Sequence, residues 1–218
     1  MELKTFYLRL KSIGLSLYPP LIVIYIIIPI ISILQYNSNA DKMLAYLYIH
    51  NAIDLYVPIM CAWWTLCILV GFTEDEQEAI KCNAYYQDLK ECGLALLLFL
   101  LNVLVGFSFL YISFSQEFYS IIFLDEVKTI IQSVFFAIVA YSMTIFTKST
   151  LFTLFSLILY CVIMTMLTEN RNIFINIFSQ YRFMTYDIIV NKYLTFLLIA
   201  CLALAIAIFV KISRRNVF

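Results

Sequence analysis

Charge is scarce in this sequence. Of 218 residues only 28 are charged, 14 basic and 14 acidic, about half the share of an ordinary soluble domain. Six windows have no charge at all: residues 12–40, 55–73, 92–116, 129–147, 149–168 and 193–210 contain no Asp, Glu, Lys or Arg. A chain that is 64% hydrophobic with so little charge cannot present a soluble surface, which excludes the water-soluble globular class. With 14 charges of each sign there is no basic excess for a nucleic acid, and none is expected as a partner. Histidine occurs once, as His50, and the six cysteines (Cys61, Cys67, Cys82, Cys92, Cys161 and Cys201) form no CxxC pair. The chain therefore cannot supply a multi-histidine centre, and cysteines within apolar runs act as small hydrophobes. No GxxxxGK[ST] occurs, so no phosphate-binding loop of that kind is available.

What is present is membrane-length hydrophobicity. Each charge-free window approaches or exceeds the roughly 20 apolar residues that a helix needs to cross a bilayer. The expected fold is therefore an all-α integral membrane protein with six transmembrane helices. Residues 1–218 form a single transmembrane domain: an interfacial helix over 1–16, six spans over 17–211 and a basic tail over 212–218. Pro19 and Pro20 fall early in the first span, where a missing N–H costs little. Pro29 is expected to kink that span against its neighbours. The first apolar run is too long for a cleavable leader, and no small-x-small site follows it closely, so none is expected. Leu3, Phe6, Tyr7 and Leu10 recur at helical spacing, with Lys4, Arg9 and Lys11 elsewhere on the wheel. That pattern fits a helix lying in the membrane interface.

Basic residues set the orientation. With the N-terminus inside, the inner segments hold Lys4, Arg9, Lys11, Lys81, Lys90, Lys148, Lys211, Arg214 and Arg215, and the outer ones Lys42, Lys128, Arg171, Arg182 and Lys192. The excess favours a multi-pass protein of the cell membrane with both termini cytoplasmic.

The little charge there is collects in one internal stretch, GFTEDEQEAIKCNAYYQDLKEC, which holds eight of the 28 charged residues. Thr73 and Glu76 fit a capping box, and Glu74, Asp75 and Glu76 suit a helical first turn. Ala79, Cys82, Tyr85, Tyr86 and Leu89 then form an apolar face, and Lys90 and Gly93 are stop signals. The spacing predicts a short cytoplasmic helix over 73–91 between spans two and three, with a tyrosine face open to a partner. On the outer side, residues 169–192 place Ile173, Phe174, Ile177, Phe178 and Tyr181 at helical spacing, which predicts an amphipathic segment against the outer membrane face. Within the spans, Asp54, Pro58, Cys61 and Thr65 share a face of span two, one turn after His50. Thr153, Ser156 and Tyr160 share a face of span five. His50 and Asp54 are expected as a pair near the outer interface, and Asn102 as a bond to a neighbouring helix. With no Asp, Glu or His inside the expected spans, a membrane-embedded enzyme is disfavoured.

This order of elements resembles the membrane subunit of ABC-2-type transporters. CAWWTLCILVGFTEDEQEAIKCNAYYQDLKE is similar to that family's second span running into its acidic coupling helix. The 169–192 segment stands where the family has short external helices, and LALAIAIFVKISRRNVF resembles its last span with a basic end. The resemblance implies a permease that works as a dimer with an identical or related subunit. Separate ATPase subunits, which bind the ATP and Mg, would dock on Thr73, Glu74, Asp75, Glu76, Tyr85, Tyr86 and Leu89. This chain itself would carry no cofactor and no catalytic residue. The transport path would run along spans two and five, past Asp54, Cys61, Thr65, Thr153, Ser156 and Tyr160. It also implies export of peptides, antimicrobials or lipid-like compounds. The alternative is a six-span substrate-capture or other integral binding subunit.

Overall fold

The computed structural model describes residues 7, 11, 13–75, 87–166, 176–178 and 183–215. No strand occurs among them. Five helices are long and apolar enough to cross a membrane. Helix α1 spans Gly14–Ser38, α2 Lys42–Asp75, α3 Gln87–Ser113 and α4 Tyr119–Thr147. Helix α5, Thr150–Met166, is apolar but has 17 residues. Helix α6 opens at Tyr186–Ile188, passes a π turn at Ile189–Tyr193 and continues over Leu194–Arg215. The architecture is all-helical and multi-span, as the charge-free windows predict.

Helices α2 and α4 form the axis. On one side they pack with α1 and α3 through residues such as Tyr46, Phe99, Phe107 and Ile122. On the other they pack with α5 and α6 through Phe136, Leu157 and Phe196. Leu97 and Leu101 of α3, Phe155 and Met166 of α5, and Leu202 and Phe209 of α6 point outward and are exposed. An apolar outside around an apolar core is what lipid, and not water, requires.

The prolines of α1 are absorbed locally. Pro19 and Pro20 sit in a helical first turn. Pro20 lacks the N–H that would bond the Ser16 carbonyl. The Trp63 indole supplies it instead at 2.8 Å, and Trp64 donates to the Leu17 carbonyl at 3.0 Å. Pro29 follows a π turn at Val23–Ile27, so the register shifts just where its missing N–H would leave a gap. There α1 meets α3 closely: a Cβ on Gly106 would stand 2.7 Å from Cγ2 of Ile24, a contact only glycine admits. One turn away, Tyr25 Oη donates to Asn102 Oδ1 at 2.8 Å, the helix-to-helix bond expected of Asn102. Between α4 and α5, Lys148 takes φ 55° and the Ser149 hydroxyl caps α5 by accepting from Phe152 N–H at 3.2 Å, so two residues reverse the chain.

Three expectations need correction. Thr73 does not start a helix: α2 runs unbroken through it to Asp75, and Leu89 and Gly93 lie inside α3. An apolar helix leaving the membrane continues until something stops it, and this overrides a local capping signal. Residues 76–86, with Glu76, Tyr85 and Tyr86, lie outside the described residues. The fourth span begins at Tyr119, ten residues before its charge-free window, so Asp125 and Lys128 are helical and buried. In the outer segment 169–192, residues 176–178 are not helical. Asn176 Oδ1 accepts from Phe178 N–H at 2.9 Å, a side-chain turn that competes with helix. The interfacial helix over 1–16 falls mostly outside the described residues, and α6 carries the chain through to Arg215.

Candidate functional site

Helices α2 and α4 bring six polar side chains together inside the bundle. Tyr46, His50 and Asp54 stand at i, i+4 and i+8 on α2, and Asp125, Lys128 and Gln132 at i, i+3 and i+7 on α4, so each set lies on one helical face. Helix packing turns those faces toward each other. At 1.5 Å per residue the middle of the group lies roughly 12–18 Å from the starts of the two helices. All six are at most 2% exposed.

Asp125 is the centre of one half. Its Oδ2 accepts from Tyr46 Oη at 2.6 Å and meets His50 Nδ1 at 2.9 Å. Thr129 Oγ1 donates to the Asp125 backbone carbonyl at 2.7 Å. Lys128 joins the halves: its Nζ stands 3.3 Å from Asp54 Oδ1 and 3.8 Å from Asp125 Oδ1. It lies almost equally far from both His50 nitrogens, at 3.3 and 3.4 Å, so it does not lie along either ring lone pair. Gln132 Nε2 donates to Asp54 Oδ1 and, at 3.2 Å, to the Ile177 carbonyl. Asp125 Oδ1, Gln132 Oε1 and Ser133 Oγ are buried without a hydrogen-bond partner. Pro58 interrupts the hydrogen-bond ladder of α2 beside the group, since it has no N–H for the Asp54 carbonyl.

Burying charges in a low dielectric costs several kcal/mol per ion before pairing offsets it. Ionisable side chains inside membrane helices mark ion paths, substrate sites or relays. This group is the strongest candidate site among the described residues.

No protein-family model, curated protein or solved structure matches this chain.

The sequence pattern singled out His50 and Asp54 but placed them near water as a mutual pair. Both are buried, and each bonds across to α4. It also held the span interiors free of Asp, Glu and His, because ending the fourth span at the last charge put Asp125 and Lys128 in a loop. The readable signal was the matched spacing of the two polar triplets.

Other predicted path residues are scattered along α2 and α5. Cys61 and Thr65 are buried, and Thr65 Oγ1 donates back to the Cys61 carbonyl at 3.2 Å. Thr153 is buried against Thr144 Oγ1 at 3.3 Å near the α4–α5 turn. Ser156 bonds its own helix at Phe152. Tyr160 Oη accepts from Ile177 N–H at 3.3 Å, so it alone of the span-five residues stands beside the polar group.

A second ionic contact ties the other end of the bundle. Lys211 of α6 pairs with Asp88 in the first turn of α3, and Tyr141 Oη of α4 donates to the same carboxylate oxygen at 3.2 Å. Asp88 suits a helix N-terminus, and here it fixes three helices where α3 leaves the acid-rich link.

Proposed function

We propose that this chain is the membrane-spanning permease subunit of an ATP-driven transporter. It crosses the cell membrane six times with α5 as the fifth crossing, has both termini in the cytoplasm, and works as a pair with an identical or related subunit. The ATPase is a separate protein that binds ATP and Mg and docks on the link around Glu74, Asp75, Glu76, Tyr85, Tyr86 and Leu89. Hydrolysis belongs to that partner and not to this chain. The cargo class is an exported peptide, antimicrobial or lipid-like compound.

One observation carries this reading. Helix α2 is a single rod of 34 residues, about 50 Å long at 1.5 Å per residue. It carries the acids Glu74 and Asp75 at one end of its described length and Tyr46, His50 and Asp54 near the other. A force applied at the link therefore reaches a buried ionic contact that can be made or broken, and Pro58 gives the rod a place to flex. The Asp88–Lys211 pair joins the far side of the same link to α6.

The buried polar group also favours a second reading, a substrate-capture subunit that holds a ligand without an ATPase. Affinity purification of the tagged chain from its native membrane separates the two. On the transporter reading a P-loop ATPase co-purifies in stoichiometric amount and hydrolyses ATP. Recovery of this chain without any ATPase, at every detergent strength that preserves its fold, favours the capture reading instead.

A further inference from the structure

We infer that residues 176–178 are a removable plug over the buried polar group, hooked to its charges by Gln132. Non-helical backbone at membrane depth is tolerated only where protein or trapped water satisfies its polar groups. Here side chains of other elements do so, one hook at a time. The Ile177 N–H is accepted by Tyr160 Oη of α5 at 3.3 Å, and its carbonyl takes Gln132 Nε2 of α4 at 3.2 Å. The Phe178 carbonyl takes Lys192 Nζ of the α6 π turn at 3.0 Å. Asn176 Nδ2 donates to the Met164 carbonyl near the end of α5 at 3.2 Å.

The apolar side chains of the segment complete the seal. Ile177 and Phe178 are 0% and 3% exposed, and the Phe178 ring packs against Phe136 and Tyr160 at 6.2 and 6.3 Å between centroids. Tyr160 lies six residues before Met166, so the segment reaches roughly 9 Å below the end of α5.

Two features set this buried segment apart from the helices it packs against. Among the described residues no helix or sheet ladder holds the segment, and water at the bundle end can replace each side-chain hook singly. The hook at Gln132 is shared: the same amide nitrogen serves the Ile177 carbonyl and Asp54, while its Oε1 and the adjacent Ser133 Oγ are buried without partners. A change at the Asp54–Lys128 pair thus reaches the plug through one side chain. Withdrawal of the segment would open the polar group to water from the end where α2 and α4 begin. This is a gate on the site described above and rests on the transport reading for its purpose. Its release can be measured without ATP, ATPase or cargo, so either idea can fail without the other.

The test is the reaction rate of a membrane-impermeant maleimide with Ile177→Cys in nanodiscs. Cys67, Cys82 and Cys201 are replaced by Ser, and buried Cys61, Cys92 and Cys161 are kept as reporters of an intact core. Ile177→Cys is expected to react at least tenfold more slowly than Tyr186→Cys, whose position is 73% exposed. Adding Gln132→Leu is expected to raise that rate at least tenfold, with Cys61, Cys92 and Cys161 still unreactive. Phe178→Cys serves as a second reporter and should follow the same pattern. Equal rates for Ile177→Cys and Tyr186→Cys would overturn the inference. So would a rate that Gln132→Leu leaves unchanged, or a rise shared by Cys61, Cys92 and Cys161.

Discussion

Lys128→Met is expected to destabilise the protein by about 3–5 kcal/mol, because it removes a cation from between two buried carboxylates. The ammonium lies 3.3 Å from Asp54 and 3.8 Å from Asp125, and none of the three groups has appreciable contact with solvent. Methionine fills much the same volume, so the loss is electrostatic and not a cavity effect. The stranded carboxylates must then draw in water or protons, and both disturb the α2–α4 packing. A triple variant sorts the cause: Lys128→Met with Asp54→Asn and Asp125→Asn removes all three charges and should recover most of the loss. Thermal unfolding of the purified protein in detergent, followed by fluorescence of Trp63 and Trp64, gives both values. A single variant as stable as the unmodified protein would mean that the pair is not buried between these helices.

The second large effect is expected at the link. Replacing Tyr85 and Tyr86 together by Ala should abolish co-purification with the ATPase. Tyrosines at interface centres are worth on the order of 2 kcal/mol each when truncated, so the pair amounts to roughly a thousandfold in affinity. The acids give a different result from the one a helix start would give. Glu74 and Asp75 lie in the helix that starts at Lys42 and not in the first turn of a new one. Changing Glu74, Asp75 and Glu76 to Lys should therefore leave that helix intact, and any loss of coupled transport would report recognition of the charges themselves. Phe174→Ala is the outer-face control and should leave ATPase binding unchanged. Phe178→Ala is no such control, because Phe178 is a core residue packed on Phe136.

Much of this architecture is legible in the sequence, and the failures have physical causes. Charge-free windows find membrane helices because hydrocarbon excludes unpaired charge, and five of them coincide with helices of spanning length. The same rule fails where charge is paired. Lys128 ends a window in the sequence but not a helix in the fold, since Asp54 and Asp125 neutralise it inside the bundle. Capping signals fail in a similar way. The Thr73–Glu76 pattern is local, and it yields to an apolar helix already under way from Lys42. The periodicity of Ile173, Phe174, Ile177 and Phe178 reads as a helix, yet the Asn176 side chain turns the backbone at 176–178, and partners that include Gln132 and Tyr160 bond it. Those partners lie 44 and 16 residues from Asn176 in the chain, so only tertiary packing brings them into play. Of the polar group, His50 and Asp54 are visible as odd residues in an apolar run. Their partners become visible only once α2 and α4 are known to be neighbours.

Coupling to a cytoplasmic ATPase requires the acid-rich link and the start of α6 to lie on opposite faces of the membrane, with the link inside. Sidedness of labelling tests this most directly. Single cysteines at Glu78→Cys and Tyr186→Cys, in a chain otherwise lacking reactive thiols, are exposed to an impermeant maleimide in right-side-out and inside-out vesicles. The predicted result is reaction of Glu78→Cys only in inside-out vesicles and of Tyr186→Cys only in right-side-out ones. Reaction of both from one side, or of Glu78→Cys from the outside alone, would contradict it and leave a cytoplasmic ATPase with nothing to grip.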